Sequence, residues 1–330
     1  MSLRFSPLHP ICLSLAFLTL CAFPAPLHGQ QLEQPASTLS VNVRVVAFDA
    51  LVHSRDGELV HHLHKDDFTL LEDGKRQPIR YFSEDSDLPL TIGLMVDTSS
   101  SQRSFFAEQQ VASRVFLTNM LTRPEDNAFV LRFDNNITLL QGMTAKLDAL
   151  DSALNKLPLI YPPRPGVDGG TLLFDAICDV AHNAFSKESA RRAVVILTDG
   201  EDDGSIGTRD EAIECAQRTN LAVYTALYTE HDHFDDERFD PRIHVSAHEQ
   251  LPGRTNMERI SRATGGRVFI VSKKLPIEHI YATIEHDLRS EYRLGYTPPL
   301  SRPGKYHMLE LRSRVKHSKI QTRVGYYAPK

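Results

Sequence analysis

The stretch LPLTIGLMVDTSSSQ, residues 88–102, decides how the chain is read. From Leu90 to Val96 it is apolar apart from Thr91 and Gly93. It then delivers one carboxylate, Asp97, and four hydroxyls in a row, Thr98 to Ser101. A short apolar run without alternation marks a strand buried on both faces, as in a parallel sheet covered by helices on either side. The polar run after it is a turn, a helix cap, a nucleophile or half of a metal site. Residues elsewhere have to choose among these.

Downstream, strand and helix patterns alternate. Ser104 to Leu121 carries Val111, Val115, Phe116 and Met120 at helical spacing, and Arg123-Pro124 stops it. Asn127 to Phe133 and Ile137 to Gln141 flank Asp134-Asn-Asn136, which predicts a hairpin and so one antiparallel edge strand. Ala145 to Leu157 reads as helix. A Pro-rich loop, Tyr161 to Pro165, leads into Gly169-Gly-Thr171 and a helix to about Phe185. Ala193 to Leu197 is a second buried strand, ending in Thr198-Asp199-Gly200. Arg209 to Thr219 is helix and Ala222 to Tyr228 is strand. Met257, Ile260 and Ala263 mark a helix closed by Gly265-Gly266, and Arg267 to Val271 is strand. Ile277, Ile280, Ile284 and Leu288 make the last helix. Such alternation predicts an α/β fold with a doubly wound, mostly parallel sheet.

The flanks follow a β rhythm instead. Val41, Val43 and Val45 alternate with polar residues, and Ser54 to Gly57 makes a turn. Phe68 to Leu71 is a short strand, and Glu72-Asp-Gly-Lys75 is a hairpin turn before a strand from Ile79 to Phe82. After Leu288, Tyr292, Leu294 and Tyr296 alternate, as do Ile320, Thr322 and Val324. Domain termini often lie close together. The expected organisation is therefore an N-terminal β module over residues 38–86, an α/β domain over 88–288, and a C-terminal β segment over 289–330. The two β ends are expected to pair as one small sandwich.

With 330 residues, 41% hydrophobic and 24% charged, the chain has the composition of a globular protein with a sizeable core. A net charge of −5, with no basic stripe, argues against nucleic acid as a partner. Arg4 followed by the apolar run from Ile11 to Phe23 reads as a secretory signal over residues 1–29, short for a membrane span. This places the expected mature protein outside the cytoplasm, periplasmic or secreted; an uncleaved N-terminal anchor is the alternative, and the one route to a membrane. Of four cysteines, Cys178 and Cys215 lie beyond that leader, in helical patterns. Either a disulfide or two buried thiols would suit an exported protein.

In an open α/β sheet, ligands bind beyond the carboxyl ends of the strands. Three loops leave that edge with oxygen donors: Asp97 to Ser101, Gly169 to Thr171, and Thr198 to Gly200. Each alone has a plain reading, since Ser101, Ser104 or Thr171 could cap a helix and Asp199-Gly200 could be a turn. Together they offer two carboxylates and three hydroxyls. Hard oxygen ligands of low total charge suit Mg²⁺, which favours octahedral geometry and keeps several waters.

These residues resemble the von Willebrand factor A family, whose metal-ion-dependent adhesion site combines Asp-x-Ser-x-Ser with a distant Thr and a distant Asp. The matching positions are Asp97, Ser99, Ser101, Thr171 and Asp199. The resemblance covers about Leu90 to Leu288. Flanking stretches, among them Asp66-Asp-Phe68, Glu72-Asp-Gly74, 288–298 and Arg323-Val-Gly-Tyr-Tyr327, resemble a group of secreted bacterial proteins termed VWFA-related. Gln102 departs from the Met common in that group after the last Ser. The resemblance implies a Rossmann-like domain and a Mg²⁺ site, with Mn²⁺ or Ca²⁺ as substitutes. It implies cation-dependent protein binding without catalysis, the partner presenting an Asp or Glu to complete the metal shell. A structural or assembly role in the cell envelope, where the metal only stabilises the fold, is the alternative.

Other candidates are weaker. No Gly-x-Ser-x-Gly elbow surrounds Ser100 or Ser101, so a serine hydrolase lacks its frame. A phosphatase of the aspartyl-phosphate kind would want a second carboxylate where Ser99 stands. No phosphate-binding Gly-rich loop ending in Gly-Lys occurs. The run Glu230 to Glu237, rich in His and Asp, reads as a solvated acidic insertion, with a second ion as its sharper reading. His61, His62 and His64 are expected on a polar strand face. Asn136-Ile-Thr138 fits a glycosylation pattern relevant only in a eukaryotic secretory pathway.

Overall fold

The computed structural model describes residues 45–84, 88–157, 170–185, 191–229, 252–299 and 302–329. The leader expected over residues 1–29, Gly169, the Pro-rich loop and the Glu230 to Glu237 run lie outside the described residues. The N-terminal flank supplies β1 (Val46–His53), β2 (Phe68–Glu72), β3 (Lys75–Gln77) and β4 (Tyr81–Glu84). The α/β region runs β5 (Leu90–Asp97), α1 (Phe106–Met120), β6 (Asn127–Phe133), β7 (Ile137–Thr144), α2 (Leu147–Leu154) and α3 (Leu173–Asn183). It continues with β8 (Arg191–Thr198), α4 (Arg209–Arg218), β9 (Leu221–Leu227), α5 (Pro252–Thr264), β10 (Val268–Ile270) and α6 (Ile277–Arg289). The C-terminal flank gives β11 (Tyr292–Tyr296), β12 (Tyr306–Ser313), β13 (Lys319–Thr322) and β14 (Gly325–Tyr327).

The central sheet has the order β10-β9-β8-β5-β6-β7. Every pair is parallel except the β6–β7 hairpin, which makes β7 the antiparallel edge. All eight positions of β5 are buried, as its unbroken apolar run required. The strand alternation splits the core in two. Ala193, Val195 and Leu197 of β8 pack with Ile92, Leu94 and Val96 of β5 and with α1, α2 and α6. On the opposite face, Val194 and Ile196 pack with Met95 and with α3, α4 and α5. Gly93 faces that second layer because nothing larger fits. A Cβ there would lie 2.2 Å from Phe129 Cζ and 2.8 Å from Val194 Cγ1.

The two flanks pair with each other in two four-stranded antiparallel sheets, ordered β13-β1-β11-β4 and β14-β12-β2-β3. Phe48, Ala50, Tyr292 and Leu294 of one sheet share a core with Phe68, Leu70, Leu309 and Tyr326 of the other. That core is a sandwich built from both ends of the described chain. A buried Arg191–Glu291 ion pair, 3.1 Å apart, lies where β8 begins and the last helix gives way to β11. Arg191 also donates to the Leu288 carbonyl at 2.6 Å.

Several expectations need correction. The Glu72–Lys75 turn has positive φ at Asp73 and Gly74, but it joins β2 to β3. The later strand is Tyr81–Glu84 and belongs to the other sheet, beside β11. His61, His62 and His64 lie in no strand; His62 adopts φ 60° and its N–H donates to Glu84 Oε1 at 2.9 Å. Of the two readings left open for Cys178 and Cys215, the structure has the disulfide, which joins α3 to α4. Val111 and Val115 are exposed, and the buried face of α1 includes Gln109, Gln110 and Ser113 beside Phe116 and Met120. Among the described residues, no helix is long and apolar enough to cross a membrane.

Candidate functional site

Asp97 closes β5 with its carboxylate wholly buried. The parallel register sets Val96 beside Leu197, so Asp97 meets the end of β8 one step further on. There the Thr198 hydroxyl donates to Asp97 Oδ2 at 2.7 Å and accepts from the Gly200 N–H at 2.9 Å. Asp97 Oδ1 accepts from the Ser99 N–H at 2.9 Å, which folds the first loop back over the strand end. Ser100–Phe105 then forms a 3-10 turn ahead of α1. The alternative reading of this loop as a helix cap supplied by Ser101 or Ser104 does not hold, since Ser99 and Phe105 occupy the cap positions. Neither Ser99, at the start of that turn, nor Phe105, ahead of α1, makes a side-chain capping bond.

The serines bond elsewhere. Ser99 Oγ lies 3.1 Å from Ser101 Oγ, and Ser101 Oγ donates to Asp199 Oδ2 at 2.5 Å. Asp199 Oδ1 accepts from the Glu201 N–H at 3.0 Å. Gly200 is required just here, with φ +80° and a would-be Cβ only 2.3 Å from the Gly253 carbonyl oxygen. Four of the five sequence candidates, Asp97, Ser99, Ser101 and Asp199, therefore form one bonded cluster at the sheet edge.

Thr171 joins less directly. Its N–H donates to the Asp203 carbonyl at 3.2 Å and its carbonyl accepts from the Asp203 N–H at 3.1 Å, tying the second loop to the third. The next N–H, of Leu172, donates to the Asp134 carbonyl at 2.9 Å, and Thr98 Oγ1 donates to Asp134 Oδ2 at 2.8 Å. Thr171 is buried, but among the described residues its hydroxyl makes no hydrogen bond to the other four side chains.

The electrostatics are those of crowded negative charge. Burial first, and then the Asp199 carboxylate, push the Asp97 carboxyl up to about 7; the hydrogen bonds from Ser99 and Thr198 oppose this. Among the described residues, no three His, Cys, Asp or Glu side chains gather as metal ligands. A cation at this edge would rest largely on hydroxyl oxygens.

Sequence reasoning passed over three contributors. Thr198, one residue before Asp199, bridges the two strand ends. Asp134 laces the first loop to the second, and Arg132 Nη1 donates to its Oδ2 at 2.6 Å. Gln102 donates from Nε2 to Asp199 Oδ2 at 3.1 Å. Thr198 and Gln102 were readable only as neighbours of candidates, since partners about a hundred positions away give them their roles.

An open, mostly parallel sheet whose carboxyl edge gathers Asp-x-Ser-x-Ser with a second, distant Asp defines a von Willebrand factor type A domain. Residues 92–201 match the family model described as von Willebrand factor type A domain, and the chain carries such a domain. Domains of this class are in general interaction modules. The chain is similar in structure to an aerotolerance-related membrane protein from Bacteroides fragilis, at 15% identity and a TM-score of 0.43. That match covers 60% of this chain and 98% of the other. BatB from Bacteroides thetaiotaomicron matches at 16% identity and 0.41, covering 60% and 97%. A von Willebrand factor type A protein from Catenulispora acidiphila matches at 11% identity and 0.46, covering 87% and 74%. No curated protein matches the sequence.

Proposed function

We propose that this chain is an exported, divalent-cation-dependent protein-binding module with no catalytic step. Ser99, Ser101 and Thr171 would hold Mg²⁺ through hydroxyl oxygens, with Asp97 and Asp199 acting directly or through water. Mn²⁺ and Ca²⁺ are the expected substitutes. One observation carries the reading: two carboxylates crowd each other at one sheet edge, bridged by serine hydroxyls. A hard dication is the partner that relieves such crowding while tolerating neutral oxygen ligands.

The donor set fits that role. Asp97 and Asp199 direct their accepted bonds toward Ser99, Thr198, Ser101, Gln102 and Glu201, which holds both carboxylates in fixed orientation. Ser101 spends its proton on Asp199, so Ser99 is the donor to Ser101, and one lone pair of the Ser101 oxygen is left for a cation. A cation held partly by neutral oxygens keeps uncompensated positive charge, and an Asp or Glu of a protein partner supplies the complement. In a crevice of lowered dielectric that contact exceeds an exposed ion pair.

Calorimetric titration with Mg²⁺ and Mn²⁺, followed by pull-down from the native envelope or medium with Mg²⁺ against chelator, tests this. Asp199→Ala should abolish cation-dependent capture with little change in melting temperature. A large fall in melting temperature with capture intact would instead support the structural role. No uptake of either ion would end the reading.

A further inference from the structure

We infer that Gln102 and Gln109 form an amide relay that sets the affinity of the cation site by fixing the Asp199 carboxylate. The inference rests on the cation reading above. Its starting observation is that two carboxamides with no place in a hydrophobic core are buried beneath the site, Gln102 at 1% exposure and Gln109 at 0%. Burying a primary amide is unfavourable unless its donors and acceptor are used.

The chemistry of Asp199 orders the chain. An ionised carboxylate only accepts, so the Gln102 group facing Asp199 Oδ2 must be its Nε2, 3.1 Å away. The Gln102 carbonyl then points back toward α1, where it accepts from Gln109 Nε2 at 3.3 Å. Gln109 is left with its own Oε1 buried and, among the described residues, without a hydrogen-bond partner. An orphan acceptor in the interior is unfavourable. Gln109 nevertheless keeps its amide in the one sense that supports Gln102. The direction of the whole chain is thus dictated from Asp199 downward.

The relay bears on the cation through Ser101. Ser101 Oγ and Gln102 Nε2 donate to the same oxygen, Asp199 Oδ2. With that oxygen held in place by Gln102, the Ser101 proton is committed toward Asp199, one Ser101 lone pair accepts from Ser99, and the other stays turned to the site. Without Gln102, the carboxylate is held by Ser101 and the Glu201 N–H alone and can swing about its terminal torsion. The serine would then lose its fixed orientation. Groups that orient metal ligands in this way typically contribute about 10–100-fold in affinity. Gln102 and Gln109 are positioning residues; neither is placed to touch the cation.

The test is Mn²⁺ titration calorimetry on the full chain, comparing wild type, Gln102→Leu, Gln109→Leu and the double variant, with melting temperatures taken in chelator. Gln102→Leu is expected to raise the Mn²⁺ Kd about 10-fold or more. Gln109→Leu is expected to raise it less, because the Asp199 contact survives. The double variant should be no worse than Gln102→Leu alone, since Gln109 acts only through Gln102. A merely structural role would lower all melting temperatures in chelator and leave Kd unmoved, which overturns the inference. Additive losses in Kd also overturn it. If Gln102→Leu does not fold, Gln109→Leu decides alone: unchanged Kd refutes the relay. Wild-type protein that takes up no Mn²⁺ refutes the cation reading, whereas wild type that binds while Gln102→Leu binds equally refutes only the relay.

Discussion

Replacing Asp97 with Asn should stabilise the metal-free protein at pH 8 and abolish its response to Mg²⁺. Burial and the Asp199 charge raise the Asp97 carboxyl from 3.8 to about 7. The folded state therefore holds that proton more tightly than the unfolded chain does. Stability contributed by the group is fully present below about pH 4 and is lost as pH rises through about 7. That rise corresponds to about 4 kcal/mol of penalty on the ionised form at pH 8. Asn removes the charge but repays the bonds imperfectly. Its carbonyl can still accept from the Ser99 N–H, but its NH₂ would face Thr198 Oγ1, which already accepts from the Gly200 N–H. Turning that hydroxyl round costs about 1–2 kcal/mol. The net expectation is a gain of about 2–3 kcal/mol at pH 8 in chelator, vanishing or reversing near pH 4 to 5. Urea unfolding of both proteins across this range, with chelator and with saturating Mg²⁺, provides the assay. A variant less stable than wild type at pH 8 in chelator would refute the electrostatic reasoning.

Three further outcomes follow from the packing. Replacing Cys178 and Cys215 together by Ser opens a loop spanning 37 positions, which chain entropy values at about 4 kcal/mol; thermal unfolding should move down by roughly 10 °C. Gly93→Ala drives a methyl into the Phe129 ring and Val194 and should cost about 1–3 kcal/mol in chemical denaturation, with the cation site intact. Arg289 Nη2 donates to the buried Asp126 carboxylate at 2.6 Å, and Leu90 and Arg123 donate backbone N–H groups to the same side chain. These donors outweigh burial and hold the Asp126 carboxyl below its ordinary value, so its contribution is lost as pH falls through the depressed value. Arg289→Ala should cost about 3–5 kcal/mol at pH 7 and less in acid, measured by the pH dependence of urea unfolding.

The residues themselves show how much was legible. Parallel strands β5 and β8 could be read directly, because a strand buried on both faces must be apolar at every position. The edge hairpin at Asp134 to Asn136 was equally plain from its turn residues. Strand β12 was passed over although His307, Leu309 and Leu311 alternate inward along it. Its pattern is clear once its partner β2 is known. The disulfide was left open, since spacing alone does not say whether two helical cysteines face each other.

Sequence alone determined the alternation of apolar strand and amphipathic helix, and the chemical type of each side chain offered at the carboxyl edge. Periodicity and donor chemistry are local properties, and they survive without knowledge of partners. Tertiary structure decided which oxygen bonds to which: that Thr198 bridges to Asp97, that Ser101 gives its proton to Asp199, and that Gln102 turns its amide toward the same carboxylate. Those contacts span about a hundred residues, and sheet register fixes them to a fraction of an ångström. A hydrogen bond exists or fails on that scale, and no one-dimensional pattern encodes it.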